Sequence, residues 1–167
     1  LQNLKTADTG VALDNLITFQ LSPALSGYDD PRATLFYRNL RERLGGLPGV
    51  QSAGFAAVAI LAGDEWDSSM AVEGHQAKAG EDMQAFMNAV SPGYFQTLKT
   101  PIVDGRDFND TDARGELFSD TGSGVAIVNR RFAEHFFPGK SAIGKRLGWG
   151  GGPNSKLTIE IIGVAAN

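Results

Sequence analysis

The sequence predicts an α+β fold, and three observations carry that reading. A β-branched and aromatic stretch, "NLITFQL" (15–21), precedes an amphipathic helix, and a second apolar stretch, "VQSAGFAAV" (50–58), follows it. Beyond residue 62, short strand-like runs alternate with polar loops more often than with helices. Near the end, "GKRLGW" and "LTIEIIGV" (157–164) flank the glycine-rich "GGGPNS" as the arms of a hairpin would. One parallel unit followed by antiparallel pieces gives α+β, arranged as two lobes.

Residues 15–21 read as a strand, closed by the loop "SPALSGYDDP", whose Ser, Gly and Pro punctuate the chain. Asp30 followed by Pro31 reads as a helix start, a cap with proline in the first turn. Phe36, Leu40, Leu44 and Leu47 then recur at helical spacing, with Arg38, Arg41, Glu42 and Arg43 mostly off that stripe. Gly45 and Gly46 end the helix, and Pro48-Gly49 turns the chain into the strand at 50–58. Such a β-α-β unit would place its two strands parallel, joined by a right-handed crossover.

The second lobe begins with the polar "GDEWDSS" and a short strand, "SMAVEG" (69–74). "HQAKAGED" reads as an exposed linker and "QAFMNAV" (84–90) as another strand. Ser91-Pro92 opens a short helix carrying Tyr94, Phe95 and Leu98. The acidic, glycine-containing run from Asp104 to Gly124 reads as a long surface loop. "GVAIVN" (124–129) is a strand running into the helix "NRRFAEHFF", which Asn129 caps and whose Phe132 and Phe136 face the core.

Composition narrows the function classes. With 15 basic and 19 acidic residues the net charge is −4, which argues against a protein that grips a nucleic-acid backbone. The longest apolar run, "GFAAVAILAG" (54–63), falls well short of the roughly 18 residues a membrane helix needs. The absence of cysteine excludes disulfides, thiol nucleophiles and zinc-thiolate sites. At 167 residues the chain can bury about 70% of its unfolded surface, so it needs no metal to fold. A start at Leu1, with no signal-peptide pattern, predicts a piece of a longer protein.

Each candidate for chemistry meets a specific objection. Gly139-Lys140-Ser141 is how a phosphate loop ends, but the first glycine of that motif would fall on Glu134. That carboxylate would repel a phosphate, and a helix rather than a strand leads into the tripeptide. In "DGRDFNDTDARGE" (104–116), a calcium loop begun at Asp110 places Asp112 and Gly115 correctly. It also puts Arg114 at a ligand position and Thr121 where a bidentate Glu belongs, so Asp110 and Asp112 read as turn formers. His75 and His135 stand sixty residues apart with no HExxH helix, which fits packing or surface roles. No Gly-x-Ser-x-Gly elbow occurs, and the "GSG" at 122–124 lacks its spacing. Asp64, Glu65 and Asp67 around Trp66 read as a solvated loop rather than a carboxylate pair for sugar chemistry. Phe36, Tyr37, Tyr94, Phe95, Phe132, Phe136 and Phe137 read as packing residues, not a base-stacking platform.

A set of motifs in fixed order has more to say. "LITFQL", "RERLGGLPGVQSAGFA", "MNAVSPGYFQTLKTPIVDGRDF", "VAIVNRRFAEHFFPGKSAIGKRL" and "LTIEIIGVAAN" together resemble the MacB-like periplasmic core domain of FtsX-type ABC transporter permeases. The likeness runs from about Val11 to Ala166, with "SPGYF", "GRDF" and "IGKRL" its most specific parts. It is similar to the large two-module permeases of that family. The resemblance implies a porter-like β-α-β lobe at 15–58, incomplete here, a second mixed α/β lobe at 59–167, and a tail at 1–14 leaving a membrane helix.

It also implies an extracytoplasmic domain on the periplasmic side of the inner membrane, without catalytic, cofactor-binding or metal-binding residues and without a cofactor. Partners would be a cytoplasmic ATP-binding subunit, reached through the membrane domain, and a second copy or module of the permease; nucleic acid would not be one. ATP-driven movement of the membrane helices would tilt the external domain, which calls for a rigid body and a hinge rather than a tuned acid or base. The competing expectation is a free-standing extracellular ligand-binding or adhesion module of the same fold.

Overall fold

The structure is a computed structural model and describes residues 14–60, 63–112, 124–152 and 154–167. Its elements are a 3-10 turn at Pro23–Ser26, α1 (Asp30–Gly45), β1 (Asp67–Val72), β2 (Gln84–Phe86), α2 (Tyr94–Thr97), β3 (Ile102–Gly105), β4 (Gly124–Asn129), α3 (Arg130–Phe136), β5 (Arg146–Trp149) and β6 (Ile159–Ala165). The α+β class stands. Among the described residues no helix is long and apolar enough to cross a membrane.

α1 forms where its apolar spacing places it, with its cap one residue earlier than expected. Asp29, not Asp30, accepts the Arg32 amide at 3.1 Å, which leaves Asp30 and Pro31 inside the first turn. There the Asp30 carboxylate complements the positive end of the helix dipole. Gly46 closes the helix by donating to the Glu42 carbonyl. The stripe is only half covered: α1 buries no residue completely, and Leu47 is 52% exposed. Its aromatic contacts are local, Phe36 against Tyr28 and Tyr37, and Tyr37 against Phe55.

The flanking strands require correction. Residues 15–21 join no ladder, and Ile17 and Phe19 are 85% and 58% exposed. Residues 50–58 contribute a single antiparallel bridge, Ala56 to Val90. Strand-like composition supplies side chains that suit a sheet, but a strand forms only where another edge satisfies its N–H and C=O groups. No described segment offers that edge to 15–21. The parallel pairing lies elsewhere, between β4 and β6, joined through α3 and β5.

β6 is the axis of the sheet, whose order is β2-β1-β5-β6-β3. β4 runs along β6 from Gly124 opposite Ile159 to Asn129 opposite Ala165. A strand has two edges, so β5 and β3 share the other one end to end, β5 opposite Ile159 and β3 opposite Ala165. Ile159, Ile161, Ile162, Val164 and Ala165 are therefore buried, the near-continuous apolar run of a strand covered on both faces. Ile161 is 0% exposed. Removing such a side chain from water contributes about 1.5–3 kcal/mol.

The core around β6 draws Met70 and Val72 from β1, Val128 from β4, Leu147 from β5, and Phe137 and Ala142 from the α3–β5 connection. Phe132 and Phe136 of α3 pack against it, four residues apart and 4.6 Å between ring centroids. Asn129 caps α3 by accepting the Phe132 amide at 2.8 Å. The expected hairpin is present as β5 and β6. Two other expectations shift. The strand expected at 84–90 ends at Phe86, and residues assigned to the acidic loop begin as β3, where the second edge of β6 gives Ile102 a partner.

Candidate functional site

Gly139-Lys140-Ser141 occupies the turn between α3 and β5. Phe137 donates to the Ala133 carbonyl to finish the helix, and Lys140 donates back to the Phe137 carbonyl at 3.0 Å. Gly139 takes the left-handed conformation at φ 71° that this reversal demands. The Ser141 hydroxyl lies 3.2 Å from an Asp104 carboxylate oxygen and accepts the Ile143 amide at 3.1 Å. The Asp104 carboxylate thus engages the Ser141 hydroxyl, and Glu134 is exposed on α3. The tripeptide is a helix stop joined to β3.

The acidic loop is likewise committed to arginine. Asp112 accepts both arms of Arg106 and the Asn109 amide, and its carboxyl is held below the usual carboxylate range chiefly by the Arg106 hydrogen bonds. Asp110 pairs with Arg41 of α1. These are the two carboxylates at the start of the calcium template, and each meets a cation already in the protein. Arg114, Gly115 and Thr121 lie outside the described residues. Among the described residues no group of three His, Asp or Glu could hold a metal ion.

His75 and His135 are brought to one aromatic. Their rings lie edge-on to Phe136, at 5.1 and 4.6 Å between centroids. His75 Nε2 lies 3.0 Å from Glu81 Oε1, and Glu81 also accepts the Lys78 amide, the larger cause of its lowered pKa. This closes the 75–81 turn; among the described residues no serine hydroxyl is bonded to either imidazole. Trp66 stacks on Trp149 at 6.3 Å and 22°, while Asp64, Glu65 and Asp67 are exposed around it.

Two arrangements were not legible in the sequence. An open cleft of about 400 Å³ lies between the start of β4 and the β5–β6 hairpin, with Asp112, Arg146, Thr158 and Glu160 among its lining residues. Arg146 and Glu160 face one another across the hairpin register. The second is a polar junction between residues 52–58 and 88–97, where Tyr94 is half buried and its phenol pushed up by that burial. The clue to it was "SPGYF", whose serine, proline and glycine all take part.

The pattern of the MacB-like periplasmic core domain matches residues 2–167. The crystal structure of the periplasmic region of MacB from Actinobacillus actinomycetemcomitans aligns with a TM-score of 0.50 at 13% identity, covering 78% of this chain and 50% of that one. That likeness concerns the fold. The extracellular domain of the ABC-type transporter YknZ from Gram-positive bacteria aligns at 27% identity and a TM-score of 0.45, over 75% of this chain and 55% of that one. The chain spans about half the length of these solved structures. No curated protein matches it.

Proposed function

The chain belongs to the MacB-like periplasmic core domain family, and from that premise we propose that it is the non-catalytic extracytoplasmic domain of an ABC transporter permease, relaying ATP-driven motion. The observation that carries the reading is the family match over residues 2–167. In this reading residues 1–14 leave a membrane helix, 15–58 form the first lobe and 59–167 the second. The domain lies outside the inner membrane. ATP is consumed by a cytoplasmic subunit, and the external domain meets a second copy or module of the permease, with contact to cargo or a periplasmic protein as a further role.

The chemistry of the surface supports a mechanical part. Three of the described carboxylates, Asp110, Asp112 and Glu81, are paired with Arg41, Arg106 and His75. Such pairs hold loops in place instead of presenting a reactive group. A relay needs stiffness, and a sheet whose central strand is bonded along both edges resists deformation better than loops do.

The chain has no cysteine of its own, and the test is made in a full-length parent protein freed of any other cysteine. In the full-length parent protein, Gln84→Cys on the exposed edge of β2 should react with a membrane-impermeant maleimide in intact cells whose outer envelope has been permeabilised. Labelling only after inner-membrane lysis overturns the location. Spin labels at the same position in two copies should change separation when the ATPase is trapped with nucleotide; an unchanged distance overturns the relay.

A further inference from the structure

α1 contributes nothing to the hydrophobic cluster around β6. Its attachment to the sheet runs through the stretch that follows it. Ala57 donates to the Ala89 carbonyl at 2.9 Å, and Ser91 to the Phe55 carbonyl at 3.0 Å. Phe55 donates to the Ser91 hydroxyl at 2.9 Å. The Asn88 side chain imitates a strand: its Oδ1 accepts the Val58 amide at 2.9 Å and its Nδ2 donates to the Val58 carbonyl at 2.8 Å. Ser52 Oγ lies 3.2 Å from the Gly93 carbonyl and 2.9 Å from Thr97 Oγ1.

Two glycines let these backbones touch. A Cβ on Gly54 would lie 2.6 Å from the Tyr94 Cα, and one on Gly93 would lie 2.8 Å from the Ala53 carbonyl oxygen. Both obstacles are main chain, so no rotamer change relieves them. α1 itself reaches the seam by two side chains. Arg41 donates to the Pro92 carbonyl and pairs with Asp110, and Tyr37 packs on Phe55 at 5.0 Å.

We propose that residues 52–58 and 88–97 form a rigid, interlocked seam that couples α1 to the β-sheet, so that the two move as one body about joints elsewhere in the chain. Backbone bonds at alternate residues, Phe55 and Ala57 against Ser91 and Ala89, an asparagine completing the ladder and two contacts too close for a Cβ all resist sliding. A flexible hinge would have the opposite signature, with few paired amides and open space around its glycines. The rigidity is a property of this chain alone. Its role in transmission rests on the permease reading.

Hydrogen–deuterium exchange on the chain tests the rigidity. The amides of Phe55, Ala57, Val58 and Ser91 should exchange about as slowly as those of β6. Gly54→Ala should accelerate them by about tenfold or more and leave β6 unchanged. Gly45→Ala, at a position with nothing within 4 Å of the added Cβ, serves as the control and should change neither. Seam amides exchanging as fast as those of the exposed 17–20 segment, which joins no ladder, overturn the proposal. So does a Gly54→Ala chain with an unaltered seam, or one whose β6 loosens equally. Should Gly54→Ala fail to fold, Ser91→Ala removes the hydroxyl that accepts the Phe55 amide and donates to the Pro92 carbonyl, and is held to the same comparison. In the full-length protein, Gly54→Ala should preserve ATP hydrolysis and depress transport. Unchanged transport overturns the coupling role while leaving the maleimide-tested location intact.

Discussion

Arg106 holds Asp112 in a two-pronged pair, Nη1 to Oδ2 at 2.7 Å and Nη2 to Oδ1 at 2.8 Å. The Asn109 amide adds a third donor at 2.8 Å. Three donors on one carboxylate stabilise its charged form, so its pKa lies below the ordinary 3.8 despite partial burial. A carboxyl depressed in the folded state contributes stability that is present above its unfolded pKa and is lost as pH falls through the folded value. Asp112→Asn should therefore lower thermal stability at neutral pH and flatten the decline below about pH 4. Because Arg106 is half exposed, the loss should not exceed about 1 kcal/mol. Melting curves from pH 7 to pH 2.5 check this, and an Asp112→Asn chain that declines as steeply as the wild type contradicts it.

Glu81 offers a local counterpart. It accepts the Lys78 amide at 2.8 Å and lies 3.0 Å from His75 Nε2. Glu81→Gln should loosen the 75–81 turn with little change in melting temperature, because the turn lies outside the core cluster. Limited trypsin digestion reads this as faster cleavage after Lys78. An unaltered cleavage rate would mean that the turn is held by other contacts.

Burial should separate two isoleucines that the sequence treats alike. Ile161 is fully enclosed in β6, and Ile17 is 85% exposed in a segment without a ladder. Ile161→Ala should cost about 2–5 kcal/mol, through lost burial and the cavity left behind. Ile17→Ala should stay within about 0.5 kcal/mol. Urea unfolding of both variants measures the contrast. Similar losses would show that Ile17 packs against part of the same chain.

This contrast marks how far local sequence reaches. α1, α3, the β5–β6 hairpin and the α3 cap were legible because their signals are local: helical spacing, a capping residue, a glycine-rich turn. The strands expected at 15–21 and 50–58 did not form, because a strand depends on a partner that composition does not name. β3 was missed for the converse reason. Asp104 and Gly105 look like the start of an acidic loop until β6 offers them an edge. The candidate carboxylates followed the same rule: spacing placed Asp110 and Asp112 in a plausible list, and only the fold set Arg41 and Arg106 against them. The Asn88–Val58 pairing joins residues thirty apart and left no local trace.

The α3 cap gives a prediction with an internal control. Asn129 Oδ1 accepts the Phe132 amide at 2.8 Å, and Asn167 Oδ1 accepts the Arg131 amide at 3.0 Å. Asn129→Ala should cost about 1 kcal/mol, and Asn129→Asp, which keeps the acceptor, should cost less. Chemical denaturation of both variants tests it. Equal losses would assign the effect to strand β4, which Asn129 also ends.

The last prediction concerns Gly139-Lys140-Ser141. A phosphate site requires backbone amides free to turn toward the anion and a lysine aimed at it. Here the Lys140 amide is spent on the Phe137 carbonyl, the Ile143 amide on Ser141 Oγ, and the Ser141 hydroxyl sits beside the Asp104 carboxylate. Calorimetric titration with magnesium-ATP should register no saturable binding, and Lys140→Ala should leave both that result and the melting temperature unchanged. Ser141→Ala should instead weaken the link to β3, a small loss of stability independent of nucleotide. Saturable binding abolished by Lys140→Ala would restore the nucleotide reading of the tripeptide.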